Sequence, residues 1–131
     1  MACANPTSQT INDTAVNLTY DIELFDPVIV FSLKGRITAE EDFQELQQEV
    51  FDHLNQNYYR VVFDLSELTH TNSVGIGFFM RTLTKTRIMN GDLVLVNIHG
   101  NVQKIFEIAK LNEVYTLRDS VQEGIAFFSQ T

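Results

Sequence analysis

The sequence predicts an α/β fold: one mixed, mostly parallel sheet with an N-terminal β-hairpin and about four helices. Two observations lead there. Strand-like runs of alternating or continuous apolar residues take turns along the chain with runs of helical period. The first two strand-like runs are separated only by Asp26-Pro27, a turn signal that suggests a hairpin, whereas each later one is followed by a helix-like run, the pattern of βαβ crossovers.

Residues 1 to about 16 are rich in Asn, Thr, Ser and Ala, show no periodicity, and are expected to be a flexible tail ahead of a single domain at 17–131. Leu18–Leu24 alternates as a half-buried strand should, and Val28–Leu33 is continuously apolar, as a more buried strand should be. Thr38-Ala39-Glu40-Glu41 has the form of a capping box, with Thr38 as N-cap. The helix it opens puts Ala39, Phe43, Leu46, Val50 and Leu54 on one stripe and Glu40, Glu41, Glu45, Gln48 and Asp52 opposite. Tyr59–Leu65 is the next strand, and a polar turn follows. A helix is expected from about Val74 to Met89, stopped by Asn90-Gly91. Its core stripe reads as Ile76, Phe79, Met80 and Leu83, which leaves Val74 and Phe78 outward beside Arg81 and Lys85. Leu93–Val96 is a short buried strand. Asn101–Lys110 is a helix with Val102, Ile105, Phe106 and Ala109 inward, and Val114–Leu117 is a last strand. Ser120-Val121-Gln122-Glu123 is a second capping box, opening a terminal helix that carries Ile125 and Phe128.

Composition narrows the function. With 44% hydrophobic and 20% charged residues, the chain has the balance of an ordinary soluble domain. It has no apolar stretch of the roughly 18 residues a membrane span requires. No basic-then-apolar leader opens it, so the cytoplasm is the expected compartment. A formal net charge of -8 without any basic cluster opposes direct binding of nucleic acid, whose affinity rests on neutralising phosphates. Cys3 is the only cysteine; it can form no internal disulfide and reads as an incidental thiol in the tail.

Catalytic and cofactor signatures are missing. Gly75-Ile76-Gly77 lacks the third glycine of a dinucleotide turn, and there is no phosphate-binding P-loop. His53, His70 and His99 lie in different segments without metal-ligand spacing. Asp64 and Glu67 could be drawn as an acid pair, but Asp64, at a strand end, is as readily a turn residue. The expectation is a binding module with no catalytic residue, cofactor or metal.

The informative segment runs from Val61 to Gly77, strand into polar turn into helix. Ser73 stands where an N-cap is expected. Gly75 and Gly77 fall in the first helical turn, where each costs up to about 1 kcal/mol relative to alanine. Close backbone approach, by the sheet below or a partner above, would account for them.

Phe63-Asp64-Leu65-Ser66 through Asn72-Ser73-Val74-Gly75-Ile76-Gly77 resembles the signature of STAS domains of the anti-sigma factor antagonist kind, an apolar strand followed by a D-S-[ST]-G-[LI]-G turn. Leu33-Lys34-Gly35-Arg36-Ile37-Thr38 is similar to that family's L-x-G-x-[LIV]-D segment. Gly91–Val96 and Val102–Leu111 match its later strand and helix, so the resemblance covers residue 17 onward. The resemblance implies a protein-binding switch. Unmodified, it would bind an anti-sigma factor that is itself a histidine-kinase-like serine kinase; phosphorylated at Ser73, it would let go until a phosphatase resets it. The partner surface would comprise Thr38, Asn72, Ser73, Val74, Gly75, Phe78, Arg81 and Lys85. Three positions depart from the pattern: Asn72 and Thr38 replace aspartates, and Val74 replaces a small hydroxyl residue. These departures motivate an alternative, a STAS scaffold that is not phosphorylated, within a signalling or transporter-associated assembly. A small-molecule or lipid-handling role rests on fold analogy alone.

Overall fold

The computed structural model describes residues 17–129. The expected tail, Cys3 included, lies outside the described residues. The elements are β1 (Leu18–Phe25), β2 (Val28–Ile37), α1 (Glu40–Asn55), β3 (Arg60–Thr71), α2 (Ser73–Ile88), β4 (Asp92–Val96), α3 (Gly100–Ile108), a short 3-10 turn (Leu111–Glu113), β5 (Thr116–Arg118) and α4 (Val121–Ser129). The five strands lie side by side in chain order. β1 and β2 form the expected antiparallel hairpin around Asp26-Pro27, and the remaining neighbours are parallel.

Strand alternation divides the interior in two. Ile29, Phe31 and Leu33 of β2, Val61, Phe63 and Leu65 of β3, and Leu93 and Leu95 of β4 face α1, α2 and α3, forming the main core with Phe43, Leu46, Phe78, Phe79 and Phe106. The intervening residues, Val28, Val30, Val62, Val94 and Val96, form a thinner layer against Phe128 of α4. Large side chains on one face and valines on the other fit three covering helices against one.

β3 is longer than expected. Ser66–Thr71, expected as a polar turn, continues the strand and pairs with Lys34–Ile37. Two bulges explain why it does not read as one. Ser32 pairs with Asp64 but Lys34 with Glu67, and Gly35 with Leu68 but Arg36 with His70, so β3 carries an extra residue twice. Burial consequently falls on Leu65, Leu68 and Thr71, three apart, and the period-two signal is lost. Because β4 ends at the Asp64–Val96 pair, β2 and β3 project beyond the rest of the sheet as a ribbon.

The α2 helix is rotated from the expected phase. Its buried residues are Gly75, Phe78, Phe79, Thr82, Leu83 and Thr86. Phe78, expected on the outer face, is 0% exposed, while Met80, expected inside, is 37% exposed. Phe78 stacks between Phe43 and Phe63, at centroid distances of 4.7 and 6.0 Å. Thr82 and Thr86 belong to the inner face because their hydroxyls donate to helix carbonyls, Thr82 to Phe78 O at 2.9 Å and Thr86 to Leu83 O at 2.8 Å. At the other helices the differences are at the ends. The N-cap of α1 is Ala39 rather than Thr38, and α3 stops at Ile108, leaving Ala109 exposed. The α4 cap is close to expectation, with Glu123 N–H donating to Ser120 Oγ at 3.1 Å.

The rotated phase sets a ranking. Phe78→Ala is expected to cost about 3–5 kcal/mol in urea unfolding, as for a buried phenylalanine. Met80→Ala is expected to stay within about 1 kcal/mol. The reverse order would restore the outward Phe78.

Candidate functional site: the N-terminal end of the second helix

The β2–β3 ribbon ends where α1 and α2 begin, and side-chain bonds join the two helix starts. Asn72, not Ser73, caps α2: its Oδ1 accepts from Val74 N–H at 2.9 Å and from Gly75 N–H at 3.4 Å. The same amide donates through Nδ2 to the Thr38 carbonyl at 3.0 Å. Thr38 is held in turn by Asp42, whose Oδ2 accepts from the backbone N–H groups of Thr38 and Ala39, both at 3.0 Å. Ala39 has no side-chain acceptor, so Asp42 performs the reach-back expected of Glu41, and the acceptor role expected of Thr38 falls to the Ala39 carbonyl, which takes the Asp42 N–H at 3.0 Å. The chain Asn72–Thr38–Asp42 fixes both helix starts at the ribbon tip.

Asp42 also accepts from Asn17 Nδ2 at 3.0 Å. Burial pushes its carboxyl pKa up, but the bonds from the Thr38 backbone, the Asn17 amide, the Ala39 backbone and the Thr38 hydroxyl outweigh this and hold it below the ordinary aspartate value.

With the cap taken by Asn72, Ser73 is the first helical residue and is exposed. No described residue shares a hydrogen bond with its hydroxyl. The first turn of α2 has no acidic residue. The helix dipole therefore favours an anion at this position, while the N–H groups of Val74 and Gly75 are already held by Asn72.

The two glycines have different reasons. A Cβ on Gly75 would run into Thr71 Oγ1, which donates to Ile37 O at 2.9 Å, and would lie 3.0 Å from that same carbonyl. Gly75 thus seats the first turn of α2 on the ribbon. A Cβ on Gly77 would meet only Arg81 Nη1, at an ordinary 3.7 Å. Nothing within the described chain demands a glycine there.

From Ser73, one strip runs along α2 through the half-buried Gly77 to the exposed Met80, Arg81, Thr84, Lys85 and Ile88, with Val74 at its edge. Of the anticipated surface, Asn72, Ser73, Val74, Arg81 and Lys85 are exposed, Thr38 is half-buried, Gly75 is buried, and Phe78 is withdrawn into the core. Met80 and Ile88 belong to the strip in its place; the sequence pattern puts Met80 in the core stripe and singles out no role for Ile88. Requiring Gly75 to face inward, as its close approach does, would have corrected the phase and exposed both.

The other sequence candidates remain apart. Asp64 Oδ1 accepts from Ser66 N–H at 3.0 Å and Asn97 Nδ2 at 2.9 Å, while Glu67 pairs with Lys34 at 3.6 Å. They do not form an acid pair, and Asp64 sits mid-strand rather than at a strand end. His53 and His99 donate to the separate carbonyls of Glu49 and Ser66, and His70 bonds Thr69. Among the described residues, no cluster of three or more His, Cys, Asp or Glu is placed to hold a metal ion, and no helix is long and apolar enough to cross a membrane.

A parallel α/β sheet with a leading hairpin, and a serine presented on the first turn of the helix after its longest strand, define a class of small domain. The STAS domain family model matches residues 19–124, and the chain belongs to that family. The Bordetella bronchiseptica protein BtrV, whose name gives it provisionally as an anti-sigma factor antagonist, is 23% identical over 107 residues, covering 82% of this chain and 91% of BtrV. A solved anti-sigma factor antagonist from Mycobacterium paratuberculosis superposes with a TM-score of 0.73 at 21% identity, covering 83% of this chain and 92% of that one. SpoIIAA, a Bacillus cell fate determinant solved in unphosphorylated and phosphorylated forms, gives 0.67 for each at 13% and 15% identity. The two comparisons cover 86% and 84% of this chain and 98% and 99% of SpoIIAA. At these identities the superpositions establish the shared fold.

Two outcomes test the site's construction. Gly75→Ala is expected to destabilise the fold by about 1–3 kcal/mol through overpacking, whereas Gly77→Ala is expected to stabilise it by up to about 1 kcal/mol; equal effects in denaturant melts would contradict the seating described here. For Asp42, a folded pKa below the unfolded one means its stabilisation is complete above the ordinary value of 3.8 and is lost as pH falls through the lower folded value. Asp42→Asn should therefore show a shallower loss of stability than the parent across that acidic window.

Proposed function

We propose that this chain is an anti-sigma factor antagonist, a binding module that docks a histidine-kinase-like serine kinase and releases it on phosphorylation at Ser73. One observation carries the reading: Asn72 makes the helix cap, which leaves the Ser73 hydroxyl exposed and unengaged on an otherwise ordered turn. Had Ser73 been the cap, its oxygen would be turned to the backbone and committed.

A phosphoserine adds about -1.5 to -2 charges and three acceptor oxygens. At the first turn of α2 the fold tolerates that anion, because Ser73 is exposed and lies at the positive end of the helix dipole. In a closed interface the same dianion meets packed or acidic groups and is expected to cost several kcal/mol. Since about 1.4 kcal/mol is tenfold in affinity, modification acts on binding and leaves folding intact. The names of the relatives agree with this reading, and a SpoIIAA structure in phosphorylated form is among the neighbours. The docking surface in this reading is the exposed strip of α2, with Met80 and Ile88 where Phe78 was expected.

A second reading, a scaffold that is never phosphorylated, is favoured by the neutral residues Asn72 and Thr38 beside the acceptor. Incubation with the serine-kinase anti-sigma factor of the same genome and ATP, followed by phosphate mapping, separates the two. Phosphate on Ser73, lost in Ser73→Ala, with kinase affinity falling at least about tenfold in Ser73→Glu, is the expected result. Modification elsewhere, or affinity indifferent to both substitutions, would leave the scaffold.

A further inference from the structure

Beyond Ser73, the strip on α2 borders a shallow, open groove of about 360 Å³, lined by Met80, Arg81, Thr84, Lys85 and Ile88 of α2 and by Phe51 of α1. Its walls are apolar: Met80 is 37% exposed and Ile88 73%, and both border it together with Phe51. Its rim is cationic. The Arg81 guanidinium lies over the Phe43 ring at 5.6 Å and the Lys85 ammonium over the Phe51 ring at 5.5 Å, so both charges are held beside the groove.

Neither cation is neutralised by a described carboxylate. Arg81 has only a 3.4 Å bond from Nε to Gln47 Oε1, and the described ion pairs use Lys34, His53 and Arg87 instead. In a chain with 17 acidic and 9 basic residues, an uncompensated cationic rim is against the general field. The α1 side of the groove is neutral at Gln47 and Phe51, and Asp52, next along, accepts from Gln48 at 2.9 Å. Lys85 also lies in the last turn of α2, where a cation is favourable to the helix dipole. That accounts for its charge but not for the apolar walls beside it.

We propose that this groove receives an acidic amphipathic helix of a partner protein, its apolar residues seated between Phe51, Met80 and Ile88 and its carboxylates paired with Arg81 and Lys85. A helix fits better than an extended segment, because α1 and α2 satisfy their own backbone groups and offer a strand nothing to pair with. A second copy of this chain fits poorly, since a two-fold contact here would oppose one cationic rim to another and add two net charges of -8. This deepens the docking surface of the proposed function and rests on that reading only for the partner being a kinase.

The test contains no kinase, so its failure and the failure of the Ser73 switch are separable. Two synthetic peptides of about 18 residues, long enough to hold a helix, carry the same leucines at i, i+3, i+4 and i+7. One is flanked by glutamates, the other by lysines. In an NMR titration at low salt, the glutamate peptide is expected to perturb the amides of Phe51, Met80, Thr84 and Ile88. It should bind about tenfold more tightly than the lysine peptide. The exposed double variant Arg81→Glu/Lys85→Glu should reverse that preference while keeping the parent's unfolding midpoint within a small shift. Equal affinity for both peptides, perturbation centred on another surface, or self-association of the protein through these residues would each overturn the proposal.

Discussion

The architecture of the site depends on how closely the first turn of α2 can lie on the tip of the β2–β3 ribbon. Gly75 has no side chain to keep it off Thr71 and the Ile37 carbonyl, and Thr71 occupies that carbonyl with its own hydroxyl. With the turn seated, Asn72 comes within reach of Thr38, and the cap of α2 and the entrance to α1 become one bonded unit. Ser73 is left over from this arrangement. As the first helical residue beside a cap made by Asn72, it keeps an exposed hydroxyl at the positive end of the helix dipole.

The same seating fixes the rotation of α2. Once Gly75 faces the sheet, residues at its helical spacings must follow, so Phe78, Phe79, Thr82, Leu83 and Thr86 turn inward and Met80 and Ile88 turn out. The core and the exposed strip are two consequences of one contact. A change that lifts α2 from the ribbon would disturb the stacking of Phe78 between Phe43 and Phe63 together with the presentation of Ser73.

Strand and helix order were legible because each element spans several periods of a simple pattern, and the Asp26-Pro27 hairpin because little else fits so short a connection. The α2 phase was not legible, since Thr82 and Thr86 look polar in sequence yet satisfy their hydroxyls within the helix, while Met80 and Ile88 look buried. The outer half of β3 was hidden by its two bulges, which turn period two into three across Leu65, Leu68 and Thr71. Ser73 was legible as a residue to watch but not as a free one. Asn and Ser are comparable caps, and the deciding bond, Asn72 to Thr38, spans 34 residues.

The two ends of the α2 strip are electrically distinct. Ser73 and Lys85 are twelve residues apart, roughly 18 Å along the helix at 1.5 Å per residue, more than twice the Debye length of about 8 Å at physiological ionic strength. In the proposed switch a phosphate at Ser73 would therefore act only weakly on Lys85, whereas Arg81, whose Nη1 lies beside Gly77 one turn from Ser73, is within its reach. Release in that switch would arise at the Ser73 end, by desolvation and by repulsion against groups packed over the first turn. On the proposed function, the spacing of Ser73 from Met80, Lys85 and Ile88 along α2 would let one helix hold a partner at one end and be switched at the other, with Gly77 between them.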